Sequence, residues 1–124
     1  MTPIDWAKRP LQKYADFSGR APRPEYWWFV LAQIVVMLIA MMLDSMLGSD
    51  IGDSGYGLIY IIVALGLLLP ALAVGVRRLH DTGRSGWWLL IALIPIIGAI
   101  ILIIFLASEG NQGDNEYGPP PATT

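Results

Sequence analysis

The chain has 124 residues, of which 55% are hydrophobic and 15% are charged, and its formal net charge at pH 7 is -2. The hydrophobic share is well above that of ordinary soluble domains, which indicates a membrane protein and leaves no room for a large soluble domain. The sequence contains no cysteine, which excludes a disulfide framework, a thiolate metal site and a cysteine nucleophile.

The first element in chain order is a short amphipathic helix, which we predict for residues 4–17 at the membrane surface. Pro10 can begin a helical turn, and Leu11, Tyr14 and Ala15 then lie at positions i, i+3 and i+4 of one face. That apolar face would rest at the headgroup boundary while the basic side chains meet anionic lipid. The alternative for this segment is a disordered N-terminus.

Three apolar blocks follow, at residues 27–43, 58–76 and 87–106, and a polar tail occupies residues 107–124. Each block is near the length of about 20 residues that an α-helix needs to cross a hydrocarbon core of about 30 Å. Buried helices of a soluble protein are the alternative, but three consecutive uncharged blocks leave no polar face for water. The pattern therefore predicts an all-α membrane protein with a single domain, 1–124, in which three transmembrane helices follow the interfacial helix.

The third block contains two residues that weaken a helix. Pro95 lacks a backbone N–H and Gly98 is flexible, so this block can also form two half-length helices that turn back within the membrane. Such irregular backbone is tolerated at membrane depth only where protein or water covers it. We expect a straight or kinked span, which places the tail on the outer side.

The distribution of lysine and arginine predicts the orientation of the chain, because short cytoplasmic flanks are enriched in both residues. Residues 1–26 contain five of them, residues 44–57 none and residues 77–86 three. The N-terminus and residues 77–86 are therefore expected in the cytoplasm, and residues 44–57 outside as a solvated acidic turn without the spacing of an EF-hand. The tail from residue 107 onward has no lysine or arginine, which agrees with an outer location.

The predicted topology gathers charged and titratable side chains at the cytoplasmic membrane face. They are Arg20, Arg23, Glu25, Arg77, Arg78, His80, Asp81 and Arg84. In one interpretation they are structural, with Glu25 pairing with Arg77 or Arg78. Asp81 and Thr82 then shape the turn that follows. In the other interpretation the cluster binds an anionic lipid headgroup or another phosphate-bearing ligand, since arginine offers paired donors that match phosphate oxygens.

Three motifs follow one another along the chain. The first comprises Phe17, Gly19, Arg20, Ala21, Arg23, Glu25, Tyr26 and Trp27, the second is RRLHDTGRSGWW at residues 77–88, and the third is GNQGDNEYGPPP at residues 110–121. Together they resemble the bacterial inner-membrane family catalogued as domain of unknown function 805. The resemblance covers nearly the whole chain and implies a multi-pass protein of the bacterial inner (plasma) membrane without an established activity. Pro24 and Glu116 stand where basic residues are common in the family, so it implies no anion-binding role for these two.

No catalytic, cofactor-binding or metal-binding set can be assembled from the sequence. His80 is the only histidine, its neighbour Asp81 does not complete a triad, and the three blocks carry no ionisable residue for an ion pathway. We therefore expect a non-enzymatic interaction or scaffold module without a cofactor; the alternative is a small accessory subunit of a transporter or channel. The expected partners are membrane lipids, including anionic ones, and copies of this chain or another membrane protein, but not nucleic acid.

Overall fold

The computed structural model describes residues 2–48 and 57–121, and these residues form an all-helical fold. The elements are α1 (Pro3–Gln12), α2 (Arg23–Leu47), α3 (Leu58–Asp81), a 3-10 helix (Gly86–Leu93) and α4 (Ile97–Ala107). The described residues form no strand, only one isolated bridge between Asn115 and Gly118. The all-α prediction is confirmed. Most of the predicted outer turn, from residue 49 to residue 56, and the end of the tail from residue 122 lie outside the described residues.

Helix α1 begins and ends earlier than the helix predicted for residues 4–17. Thr2 and Asp5 form a capping box at its start, in which the Thr2 hydroxyl accepts a hydrogen bond from the Asp5 backbone N–H at 3.2 Å. Because this box starts the helix, Pro10 lies inside α1 instead of opening it. The prediction that Pro10 begins the helix is wrong.

The buried face of α1 also differs from the predicted one. Trp6 and Pro10 are the buried residues of this helix. Leu11, Tyr14 and Ala15 are exposed, and the last two lie beyond the end of α1. The helix packs mainly against α2, so tertiary packing, and not the periodicity that we used, decides which side of α1 faces inward.

Helices α2 and α3 are, within the described residues, the two that are long and apolar enough to cross a membrane. At about 1.5 Å per residue they extend about 37 Å and 36 Å, which exceeds a hydrocarbon core of about 30 Å. Their outer surfaces expose large aliphatic side chains, among them Leu31, Ile34, Leu38, Met42, Ile62, Leu65 and Leu68. Apolar side chains outside and charged side chains inside reverse the arrangement of a soluble protein.

Both long helices continue beyond the predicted spans. Helix α2 passes residue 43 and ends at Leu47, and α3 passes residue 76 and ends at Asp81. Residues 77–81, which were expected in a polar bridge between spans, are therefore the last turn of α3. They stay helical because their charged side chains are buried against protein partners instead of being solvated.

Asp44 caps helix α3, although we predicted it in a solvated turn. Its side chain is fully buried, and its two carboxylate oxygens accept hydrogen bonds from the backbone N–H groups of Ile59 and Tyr60, both at 2.9 Å. A Cβ atom on Gly57 would lie 2.0 Å from Asp44 Cγ, so only glycine lets the carboxylate approach. The cap satisfies free N–H groups and places a negative charge at the positive end of α3.

A second polar contact completes the hydrogen bonding of α3. Pro70 lies inside this helix and has no N–H, so the carbonyl of Gly66, four residues earlier, loses its helical partner. The Tyr14 hydroxyl donates a hydrogen bond to this carbonyl. The segment after α1 is thereby fixed against the middle of α3, where an unpaired carbonyl would be costly in an apolar environment.

The third apolar block does not form one continuous helix. The 3-10 helix ends before Pro95, and Ile96 has a φ of 65°, which is uncommon and strained for a β-branched residue. A Cβ atom on Gly98 would lie 1.8 Å from the carbonyl oxygen of Ile91, so glycine is required where α4 starts against the 3-10 helix. The expected straight or kinked third helix is replaced by the two half-length helices that were its alternative.

The two arms of this broken block run in opposite directions. Trp88, near the start of the 3-10 helix, packs edge-to-face on Phe105 near the end of α4, with ring centroids 5.5 Å apart. At about 2.0 Å per residue in a 3-10 helix and about 1.5 Å in an α-helix, each arm extends about 16 Å. The block therefore starts and finishes beside the same end of α3.

We predict that Asp44→Ala lowers the stability of the helix pair by about 1–2 kcal/mol, because it leaves N–H groups at the start of α3 without their cap. Thermal unfolding in mild detergent, followed by circular dichroism, measures the effect. Ser45→Ala changes the exposed neighbour and is the matched control. Equal unfolding midpoints for the two variants would contradict a capping role for Asp44.

Candidate functional site

Charged side chains are buried at one end of the molecule, where several elements meet. The last turn of α3, the first turn of α2, the loop at residues 13–22 and the end of α4 come together there. Six of the eight residues predicted for the cytoplasmic cluster are buried at this end, and we call them the arginine network: Arg20, Glu25, Arg77, Arg78, His80 and Asp81.

Asp81 lies between two guanidinium groups at the centre of the arginine network. One of its carboxylate oxygens accepts a hydrogen bond from Arg20 Nε at 2.9 Å, and the other accepts one from Arg78 Nη1 at 2.6 Å. Arg78 and Asp81 are three residues apart on α3, so one helical turn presents both, whereas Arg20 comes from the loop before α2. All three side chains are almost fully enclosed, which strengthens their electrostatic attraction.

Arg20 uses its remaining donors on the C-terminal tail. Its Nη1 donates to the carbonyl oxygens of Gly113 and Gly118 at 2.8 and 3.2 Å. Its Nη2 donates to the carbonyl oxygens of Asn111 and Asp81 at 2.6 and 3.3 Å. The described part of the tail, to residue 121, is therefore folded around a single guanidinium group.

Arg78 joins the end of α4 to α3. Its Nε donates to the carbonyl oxygen of Leu106 at 2.8 Å, and its Nη2 donates to that of Ser108. Its Nη1 also reaches the carbonyl oxygen of Ala21 at 3.2 Å. One side chain thus holds α4 and the loop before α2 against the last turn of α3.

Arg77 faces the other side of α3 and pairs with Glu25 in the first turn of α2. This is one of the two partners that we expected for Glu25. Arg9 of α1 also approaches Glu25, with Nε 3.5 Å from the second carboxylate oxygen, and Arg77 Nε donates to the carbonyl oxygen of Asp16 at 3.0 Å. Arg77 Nη2 is buried without a hydrogen-bond partner among the described residues.

The loop that carries Asp16 is ordered by local hydrogen bonds. The hydroxyl and backbone N–H of Ser18 donate to the Asp16 carboxylate at 2.6 and 3.0 Å, and they hold the pKa of this carboxyl below its ordinary value. Gly19 adopts a φ of 83°, which glycine reaches without strain. The loop thereby presents the Asp16 and Gly19 carbonyls to side chains of α3.

His80 connects this loop to the tail. Its Nδ1 donates to the carbonyl oxygen of Gly19 at 3.0 Å, and its ring stacks on Tyr117 with centroids 3.9 Å apart. The backbone carbonyl of His80 accepts a hydrogen bond from Asn115 Nδ2 at 2.8 Å. The only histidine of the chain therefore helps to dock the tail.

The other two predicted residues, Arg23 and Arg84, lie outside the arginine network. Both are partly exposed. Arg84 places its guanidinium over the Phe105 ring, 3.9 Å from the centroid, as a cation–π contact. The side chain of neither residue makes a hydrogen bond or ion pair with the described part of the chain.

Sequence reasoning missed the role of the tail. Arg20 and Arg78 are bound mainly by backbone carbonyls of residues 106–118, and such acceptors carry no residue-type signal. The available signal was the glycine-rich third motif. A Cβ atom on Gly110 would lie 2.0 Å from a carboxylate oxygen of Asp81, so glycine is needed for the tail to approach the arginine network.

The hydrogen bonds and ion pairs of the arginine network hold segments of the chain together. The donors of Arg20 and Arg78 already have protein acceptors, so these two residues do not offer a phosphate site. Of the arginines in the predicted cluster, Arg23 and Arg84 are the two that are only partly buried. Within residues 2–48 and 57–121, no group of three histidine, cysteine, aspartate or glutamate side chains is placed to hold a metal ion.

We predict that Asp81→Asn destabilises the fold by about 3–5 kcal/mol, because it leaves two buried guanidinium groups without their shared counter-charge. The unfolding midpoint in mild detergent measures this loss. Asp114→Asn makes the same chemical change at an exposed position of the tail and should leave the midpoint unchanged. A midpoint for Asp81→Asn within error of the control would show that the carboxylate charge is dispensable.

Comparison with known proteins places these features in a family. The inner membrane protein YhaH of Escherichia coli strain K12 is 44% identical over 118 residues, which cover 95% of this chain and 97% of YhaH. The inner membrane protein YhaI of the same strain is 40% identical, with 95% and 96% covered. The uncharacterized protein YiiR is 30% identical, with 83% and 84% covered.

No solved structure matches the chain. The family model described as protein of unknown function (DUF805) matches residues 14–119. That range contains the whole arginine network and the tail segment that it binds, so the matched region coincides with the part of the fold organised around Asp81. The chain belongs to the family of proteins of unknown function DUF805.

Proposed function

We propose that this chain is an integral inner-membrane protein that acts as a non-catalytic interaction module, with α2 and α3 as its membrane-spanning helices. The lengths of the two helices, their exposed aliphatic surfaces and the names of the relatives YhaH and YhaI support this proposal. The arginine network then lies at one membrane face, since it is built on the start of α2 and the end of α3.

The third apolar block is best explained as a re-entrant hairpin. Each of its arms extends about 16 Å, half of a hydrocarbon core of about 30 Å. The hairpin leaves the arginine network at Ser85 and returns to it at Leu106, whose carbonyl binds Arg78. We therefore propose that the tail lies on the same side as the N-terminus, opposite to the side expected from a third span.

Charge distribution supports a cytoplasmic location for this face. Residues 1–26 and 77–86 carry all eight lysine and arginine residues of the chain, and cytoplasmic flanks are enriched in both. The tail contains only acidic charges, so the charge rule alone does not retain it inside. Instead, the hydrogen bonds from Arg20 and Arg78 would hold the tail on the cytoplasmic side.

The observation that carries the proposal is the set of backbone carbonyls held by Arg20 and Arg78. Between them, the two side chains bind carbonyls at five positions from the end of α4 through the tail: Leu106, Ser108, Asn111, Gly113 and Gly118. A continuous helix over residues 86–107 would be about 33 Å long and would remove the strain at Ile96. Such a helix would carry the tail away from both arginines, so these contacts act as a clamp on the hairpin.

The module would act by presenting a rigid cytoplasmic face and apolar helix faces to partners. The clamp immobilises the tail, while Arg23 and Arg84 remain partly exposed beside the membrane surface for anionic headgroups. The aliphatic surface of α2 offers an area for packing against a second copy of this chain or another membrane protein.

The first prediction from this proposal concerns the side of the tail. The chain has no cysteine, so single substitutions report on location through a membrane-impermeant maleimide in intact cells. Ser18→Cys and Asp114→Cys should be protected until the cells are lysed, and Ser54→Cys should be labelled without lysis. Labelling of Asp114→Cys in intact cells, with Ser18→Cys protected, would instead support a full third span and refute the re-entrant hairpin.

The second prediction concerns the clamp. In the Asp114→Cys background, Arg20→Gln with Arg78→Gln should make the tail accessible from outside, because the hairpin can then straighten and no basic residue holds the tail in the cytoplasm. Lys13→Gln with Arg23→Gln removes the same number of positive charges from the same face and should leave the tail protected.

A rescue separates this change of topology from misfolding. Lysines introduced at Thr123 and Thr124 of the clamp variant should return the tail to the protected side through the charge rule. Continued protection of Asp114→Cys in the double arginine variant, with Ser54→Cys still labelled, would show that the arginines do not determine the location of the tail.

A further inference from the structure

Two apolar grooves share Trp87 in their lining. One has a volume of about 510 Å³ and the other about 380 Å³, and both are lined by Ser85, Trp87 and Leu90. Trp87 is 79% exposed, so most of its surface is available to a ligand in either groove. Both volumes fall in the range of about 300–1,000 Å³ that is common for small-molecule sites.

The first groove has a polar end and an apolar end. It follows one face of α3 through Leu72, Val76 and His80, which are spaced four residues apart and extend over about 12 Å of helix. His80 and Ser85 are its polar residues, and they lie at the end next to the arginine network. The opposite end, at Leu72, continues into the exposed aliphatic surface of α3.

The second groove repeats this polarity along the 3-10 helix. Ser85 is its polar residue, and Trp88, Leu90 and Ile91 form the apolar remainder. The two grooves meet at Ser85, Trp87 and Leu90, which line both, and Ser85 is the polar residue of this meeting point. In the orientation proposed above, this meeting point lies at the cytoplasmic boundary and both apolar ends open toward the hydrocarbon core.

Two residues at or next to this meeting point carry donors for an anionic group: Ser85 lines both grooves, and Arg84, which lines neither, is its neighbour in the chain. The Ser85 hydroxyl accepts a hydrogen bond from the Trp87 backbone N–H at 3.3 Å, and its own hydrogen is left for a ligand. Arg84 precedes it in the chain and packs one face of its guanidinium on Phe105. Its N–H groups, which lie in the guanidinium plane, make no hydrogen bond with the described residues and are suited to a phosphate oxygen.

We propose that the paired grooves bind one diacyl phospholipid, with one acyl chain in each groove and the phosphate at Ser85 and Arg84. Two apolar grooves that share the polar residue Ser85 match a molecule with two chains and one headgroup. The lipid is the occupant because the apolar ends continue into the helix surface that faces the membrane, which rests on the function proposed above. Bound there, the lipid would fill the space between α3 and the re-entrant hairpin.

Native mass spectrometry of the full chain, released from nanodiscs that contain phosphatidylglycerol, tests this proposal. We expect one retained lipid in the unmodified chain. Leu72→Trp should fill the first groove and lower lipid occupancy at least tenfold. Leu68→Trp places the same side chain one turn earlier on the exposed surface of α3, outside both grooves, and should leave the occupancy unchanged. Arg84→Gln should weaken retention, because it removes the donors for the phosphate.

Competition experiments identify the part of the ligand that is recognised. Lysophosphatidylglycerol, with a single chain, should compete at least tenfold less well than the diacyl lipid, and inorganic phosphate should not compete. Equal occupancy in Leu72→Trp and Leu68→Trp, or equal competition by the one-chain and two-chain lipids, would overturn the proposal. The Asp114→Cys reporter in the Leu72→Trp variant distinguishes the lipid-site hypothesis from the topology hypothesis. If the lipid is lost while the tail stays protected, the topology is intact and the assignment of the groove is supported.

Discussion

The rest of the structure depends on the carboxylate of Asp81 held between Arg20 and Arg78. Removing three charged groups from water costs several kcal/mol for each ion, and their mutual attraction compensates only when the remaining donors also find acceptors. Two guanidinium groups have ten N–H donors between them, far more than one carboxylate can accept. Backbone carbonyls of the loop, the end of α4 and the tail supply the other acceptors. The ion pair therefore decides which chain segments meet at this end of the bundle.

The shape of the third apolar block follows from that requirement. A continuous helix would satisfy its own backbone and would avoid the positive φ of Ile96, so the block is not broken by local preference alone. Pro95 and Gly98 lower the free-energy cost of the break. Pro95 has no N–H donor to lose, and Gly98 permits close contact with Ile91. The acceptors at Leu106 and Ser108 make it favourable, because only a returning chain brings them to Arg78.

In helix α3, side chains likewise form hydrogen bonds with backbone groups that have no helical partner. Asp44 satisfies the start of α3, and Tyr14 satisfies the carbonyl that Pro70 leaves open. Each contact covers a backbone group that an apolar environment would otherwise penalise. Trp87 remains exposed and lines both of the paired grooves, and Arg84 lies three residues before it in the chain. The family model is described only as a protein of unknown function.

The sequence by itself determined the helical class and the positions of the apolar blocks, and it named the eight charged or titratable residues of which the structure buries six. These properties follow from the order of residue types, because hydrophobic length and charge are local quantities. Only the tertiary structure decided the cap formed by Asp44, the return of the third block and the docking of the tail. The acceptors concerned are mostly backbone carbonyls, which every residue possesses, and they meet their donors across as many as 98 positions, as Arg20 meets Gly118. The geometry of the whole fold selects such contacts, and the residue types along the chain do not predict them.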